Sequence, residues 1–153
     1  PCSELSCAED RDQMARSMIA VALAAVLLLL SALHLFWAFG GRWGIGVAVP
    51  IVDGRPAFKP SAAASILVAI GLACAALVAL MRGGHSPSPL PDAAAQWMSI
   101  ALAAIFFARA VGTLRLVGFF KRVRRTRFAT WDTRLFSPLC FLLACGFLAV
   151  AAR

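Results

Sequence analysis

The chain has 153 residues, of which 61% are hydrophobic and 14% charged, and its mean hydropathy is +0.84. A soluble domain is about 45–50% apolar and about 25% charged, so this composition leaves too little polar surface for a water-facing fold and fits one that lipid covers. The net charge of +8 comes from 15 Lys and Arg against 7 Asp and Glu, and its main cluster abuts an apolar span, which favours lipid headgroups over nucleic acid as the anionic partner.

Residues 1–13 are polar, acidic and aperiodic, with Glu4, Glu9, Asp10 and Asp12 among them. They read as a disordered tail, added or upstream, outside the fold. Residues 17–39 form the first predicted span, long enough for a hydrocarbon core of about 30 Å. The run resembles a secretory signal in its start but is too long for one, and reads as an uncleaved helix. Ser31, His34 and Trp37 recur every third residue and share a face. Gly40 and Gly41 end the helix. Arg42 and Trp43 suit the headgroup zone. The nearby glycines make no phosphate loop, because no strand precedes them and no Lys-Ser follows.

Residues 61–81 form the second span, opened by Pro60-Ser61. Gly71, Ala75 and Ala79 lie four apart, as do Ser65, Ala69 and Ala73, a spacing that lets helix backbones approach closely, either within one bundle or between two copies. A Gly- and Pro-rich loop follows, and Asp92 is placed to cap the next helix. The third span covers about residues 95–120 and carries Arg109 near its middle and Arg115 near one interface, with Gly112 between them. Lys121, Arg122, Arg124, Arg125 and Arg127 continue it into a basic run. Residues 128–133 read as an interfacial link bearing Trp131 and Asp132. Residues 135–152 form a short fourth span with Ser137-Pro138 in its first turn.

The expected fold class is therefore all-α, an integral membrane four-helix bundle. Four spans put both termini on one side. The two connecting loops of the other side hold nine Lys or Arg residues, from Arg42 to Arg134. The positive-inside rule places those loops in the cytoplasm and both termini outside.

No Asp or Glu falls inside the four predicted spans, so the intramembrane arginines lack an obvious counter-charge. Asp53 and Asp132 lie at the rim, within reach of Arg115 but not of a mid-membrane Arg109. Two readings stay open. In one, Arg115 snorkels to the interface, Arg109 bonds helix carbonyls, and His34 bonds a helix neighbour. In the other, His34, Trp37, Arg109, Gly112 and Arg115 hold an anionic amphiphile, while Arg42, Trp43, the basic run from Lys121 to Arg127, Trp131 and Asp132 meet headgroups. The five cysteines include no CxxC pair, and no metal-ligand spacing occurs. Haem would have His34 as its single histidine at membrane depth, so no cofactor is expected.

Several stretches together resemble a known family: 34–44 (HLFWAFGGRWG), 109–112 (RAVG), 117–121 (VGFFK), 126–129 (TRFA) and 132–139 (DTRLFSPL). They are similar to a bacterial family of small four-span integral membrane proteins known only as a domain of unknown function. The resemblance implies a four-helix architecture in the bacterial cytoplasmic membrane and brings no activity with it. Three functions compete on this sequence. One is a binding or accessory module for an anionic lipid, an amphiphile or a partner subunit, with self-association open. Another is a small transporter, although it lacks the intramembrane carboxylate of proton-coupled four-span exporters. The last is a membrane enzyme on a lipid or isoprenoid, with His34 as base and the arginines stabilising an anion.

Overall fold

A computed structural model describes residues 4–49, 51–52, 55–56, 61–112 and 127–152. Its elements are helices α1 (Glu4–Ala38), α2 (Ile45–Ala48), α3 (Ala62–Arg82), α4 (Asp92–Val111), α5 (Arg127–Trp131) and α6 (Ser137–Ala151), with a π-helical turn (Asp132–Phe136) joining the last two. The architecture is all-α. A two-residue antiparallel ladder, pairing Ile51 with Pro56 and Val52 with Arg55, is confined to the link before α3. Four helices are long and apolar enough to cross a membrane: Cys7–Ala38, Ala62–Arg82, Asp92–Val111 and Phe128–Ala151. Many of their large apolar side chains, including Leu29, Leu67, Ile105 and Leu142, point outward, as lipid contact requires. This is a multi-pass membrane protein.

The bundle consists of two tight antiparallel hairpins, α1 with α3 and α4 with α6. Small residues allow the first pairing. Ala20, Ala24, Ala75, Ala76 and Ala79 are buried between the helices, and a Cβ on Gly83 would collide with that of Ala20. Ser31 Oγ donates to the carbonyl of Ala69 at 2.8 Å, so both helices share a polar staple inside the bundle. Of the evenly spaced small residues of α3, Ser65, Ala69, Ala75 and Ala79 are buried within the chain, while Gly71 is exposed. Leu23, Leu27, Leu143 and Phe147 fill the centre where α1 meets α6. Gly146 admits Leu23, whose Cδ2 would lie 2.8 Å from an added Cβ.

Three helix boundaries differ from the sequence reading. Residues 4–13 are helical, with 7–13 exposed; they extend α1 about 18 Å beyond Arg16, at 1.5 Å per residue, rather than forming a disordered tail. The third span stops at Val111, where Gly112 takes φ 84°, a conformation costly for any residue with a Cβ. Residues 113–120 of the expected span lie outside the described residues. The fourth span begins seven residues earlier than expected, at Phe128, because 127–151 is one continuous helix. Pro138 lies in the first turn of α6, as expected, but the π-turn and α5 continue the helix upstream of it. Its ring removes a donor and crowds the carbonyl four residues back. The wider π-turn directly upstream relieves that conflict, and Ser137 N–H bonds to the carbonyl of Asp132 instead.

At the terminal end of the bundle, Arg82 is buried with its side chain 1% exposed. Its Nη1 donates to Asp92 Oδ1 at 2.8 Å, while Nε and Nη2 donate to the carbonyls of Val150 and Ala151 at 3.1 Å each. Gln96 Nε2 also reaches Ala151, and Arg16 Nη1 reaches Ala152, both at 3.3 Å. One guanidinium therefore closes the α3–α4 loop and caps the C-terminus of α6. Asp92, expected as an N-cap, is the first residue of α4 and uses its carboxylate on Arg82; Pro91 holds the cap position. Replacing Arg82 by Ala is expected to cost about 3–5 kcal/mol, because buried carbonyls lose their donors. Asp92→Asn should cost under about 1 kcal/mol, since that carboxylate is 59% exposed and screened. Thermal unfolding of both variants in the same mild detergent checks the asymmetry.

Candidate functional site

The opposite end of the bundle gathers the C-termini of α1 and α4 with the start of the final helix. Here Gly40 takes φ 91°, and Gly41 N–H bonds back to the carbonyl of Phe36 at 2.9 Å, closing α1. The short α2 that follows packs against α5, bringing the first connection over the start of the last span.

Arg109 lies in the last turn of α4 rather than at its middle, because the helix ends two residues later. A cation there complements the partial negative charge of the helix C-terminus. Its Nη2 donates to Asp132 Oδ1 at 3.1 Å. Asp132 was expected to meet headgroups and to be beyond the reach of Arg109; instead its side chain is completely buried and paired with that arginine. Two errors of boundary explain the difference. Among the described residues α4 ends two residues after Arg109, and the earlier start of the last helix carries Asp132 into the bundle. Asp132 opens the π-turn, which turns its carboxylate and Ser137 to the same side of the helix.

The pair does not use all of its polar capacity. Arg109 Nη1 and Ser137 Oγ are both buried, and neither finds a hydrogen-bond partner among the described residues. The Arg109 side chain as a whole remains 37% exposed.

The other expected site residues separate from this pair. His34 Nδ1 donates to the carbonyl of Leu30 at 2.8 Å, and its ring meets Trp37 edge-on, with centroids 5.1 Å apart. Trp37 Nε1 donates to the carbonyl of Trp43 at 2.8 Å, tying α1 to the loop after it. Ser31, His34 and Trp37 do share a face, and each makes its bond to neighbouring backbone. Gly112 ends α4, so no helical face runs from Arg109 through Gly112 to Arg115. Arg115, Lys121, Arg122, Arg124 and Arg125 lie outside the described residues, as does the side chain of Arg127. Arg42, Trp43, Trp131 and Arg134 are exposed at this end. Among the described residues, no three His, Cys, Asp or Glu side chains come together as metal ligands.

Between α3 and α4, which touch only sparsely, lies an apolar groove of about 230 Å³. Gly71, Cys74 and Val78 line it from α3, and Met98, Leu102 and Ile105 from α4. The sequence reading had no sign of it beyond the small residues of α3.

These features occur on a chain whose architecture agrees with the expected resemblance. The chain belongs to the family described as Protein of unknown function (DUF3995). The match covers residues 27–147. It takes in both arginine–aspartate pairs, the π-turn and both walls of the groove. No curated protein and no solved structure matches the chain.

Arg109→Gln is expected to destabilise the family member by about 3 kcal/mol, because a buried carboxylate loses its cation; the exposure of Arg109 holds the figure at the low end. Adding Asp132→Asn should restore part of that loss. A double-mutant cycle by thermal unfolding in detergent measures the coupling; additive losses would rule out a direct interaction.

Proposed function

We propose that this protein is a membrane-embedded binding or accessory module that recruits anionic lipid or a similarly charged amphiphile or partner subunit at one bilayer interface. The observation that supports it is the imbalance of exposed charge at the end described above. Arg42 and Arg134 are exposed there beside the exposed indoles of Trp43 and Trp131. Asp132, the described acid of that end, is consumed inside the bundle by Arg109. The sequence adds five further cations between Lys121 and Arg127. Juxtamembrane cations each contribute about 1 kcal/mol of attraction to an anionic leaflet.

In this reading the basic end faces the cytoplasm of a bacterial cell and both termini lie outside. The terminal side offers little counterweight, because the charge of Arg82 is spent on Asp92 and on carbonyls. A reporter enzyme active only in the cytoplasm, fused after Arg153, should be silent, and the same reporter inserted in the 121–127 run should be active. The reverse pattern refutes the orientation. Neutralising Arg42, Arg134 and the five cations of the run with Gln should lower retention of phosphatidylglycerol over phosphatidylcholine in native mass spectra by about tenfold or more. Unchanged retention refutes the recruiting role.

A further inference from the structure

We propose that the groove between α3 and α4 is an intramembrane slot for one acyl chain of an anionic phospholipid whose phosphate sits on Arg109. The charge preference of the headgroup rests on the function proposed above; the slot itself rests on geometry.

The α4 wall of the groove leads directly to the arginine. At about 100° per residue, Met98, Leu102, Ile105 and Arg109 fall within about 60° of one another on α4. The buried stripe of that helix, Ala95, Ser99, Ala103 and Ala110, lies to one side of them. Arg109 therefore stands one turn beyond Ile105 on the groove face, and reaches sideways to Asp132 on the final helix. The two contacts are compatible, since a guanidinium carries five donors in a planar fork. Asp132 Oδ1 takes one of them, Nη1 has no partner among the described residues, and more than a third of the side chain is exposed.

The dimensions fit a single leaflet. From Met98 to Arg109 the helix rises about 16 Å, close to half of a hydrocarbon core of about 30 Å. A phosphate at Arg109 would thus lie at headgroup level while its chain followed Ile105, Leu102 and Met98 toward the midplane. The groove stays open because Gly71 and Cys74 on the α3 wall are small and because the two consecutive helices are held together mainly at the Arg82–Asp92 end. Its apolar lining offers a hydrocarbon chain contact and offers a second headgroup nothing.

The test uses the full chain in nanodiscs that contain phosphatidylglycerol or phosphatidylcholine with a diazirine in mid-chain. Crosslinks mapped by mass spectrometry should concentrate on 71–78 and 98–105, about tenfold more from phosphatidylglycerol, whose phosphate charge no choline offsets. Ala101→Trp, which fills the groove, should abolish them. Arg109→Gln/Asp132→Asn, which removes both charges together, should equalise the two lipids. Crosslinks spread evenly over all outward positions would overturn the slot. So would coupling of two copies through Cys74 of the groove by a bifunctional maleimide. Equal labelling of the wild type by both lipids would overturn the charge preference, and groove labelling unchanged in Arg109→Gln/Asp132→Asn would overturn the role of Arg109. The Gln variants of the basic end keep the two proposals apart: if they lose bulk phosphatidylglycerol retention yet keep the groove crosslinks, the slot stands independently. If they retain the lipid and the groove stays labelled, the recruiting role alone falls.

Discussion

A charge in a bilayer must be compensated, and this bundle does so at the ends of its helices. Arg82 closes α3 and meets Asp92, which opens α4. Arg109 lies in the last turn of α4 and meets Asp132, which opens the π-turn of the final helix. In both pairs the cation lies where helix carbonyls accumulate negative charge, and Asp92 also lies where the first amides of α4 accumulate positive charge. Together the pairs fasten both ends of α4 to its neighbours, one to α3 and one to the final helix. The hairpins can then leave a gap between α3 and α4 without coming apart.

The polar residues of α1 follow a different rule. Ser31, His34 and Trp37 each bond to a backbone carbonyl, from α3, from α1 itself and from the following loop. Lipid supplies no acceptor, so a hydroxyl, imidazole or indole at depth has to find one in the protein. The shared face that marked these residues as a candidate site is equally what a helix needs to fix its neighbour and its own end. Arg109 differs, because its capacity exceeds its partners among the described residues.

Much of the fold was legible because bilayer thickness imposes a length on every apolar run. The four spans, the helix start at Pro60-Ser61, where Ser61 Oγ proves to accept from Ala64 N–H at 3.1 Å, and the glycine stop after α1 all followed from composition and turn chemistry. The site was legible only in part. Arg109 stood out as a charge among apolar residues, but its counter-charge was assigned to the rim. Apolar residues on both sides of Gly112 hid the end of α4, because hydropathy does not register a glycine at φ 84°. Arg82 drew no attention because it sits beside Gly83 and Gly84, a composition that reads as loop. The residues 128–133 were polar enough to pass for a link, and Pro138 looked like a beginning. What decides these points is which backbone carbonyls and which distant carboxylate lie nearby, and neither is local in sequence.

The π-turn gives the final helix a phase change. It inserts one residue more than an α-helical turn would hold, so that Asp132 and Ser137, five apart and about 140° apart on a regular helix, fall on one side. The part of the helix that carries the carboxylate and the part that packs Leu143 and Phe147 into the core are thereby brought into alignment. Charge compensation at this end depends on a count of residues as much as on their identity. The same residues wound as a regular α-helix would keep every functional group and rotate the upstream segment by about 100°. The carboxylate would then face lipid, and the arginine would be left alone.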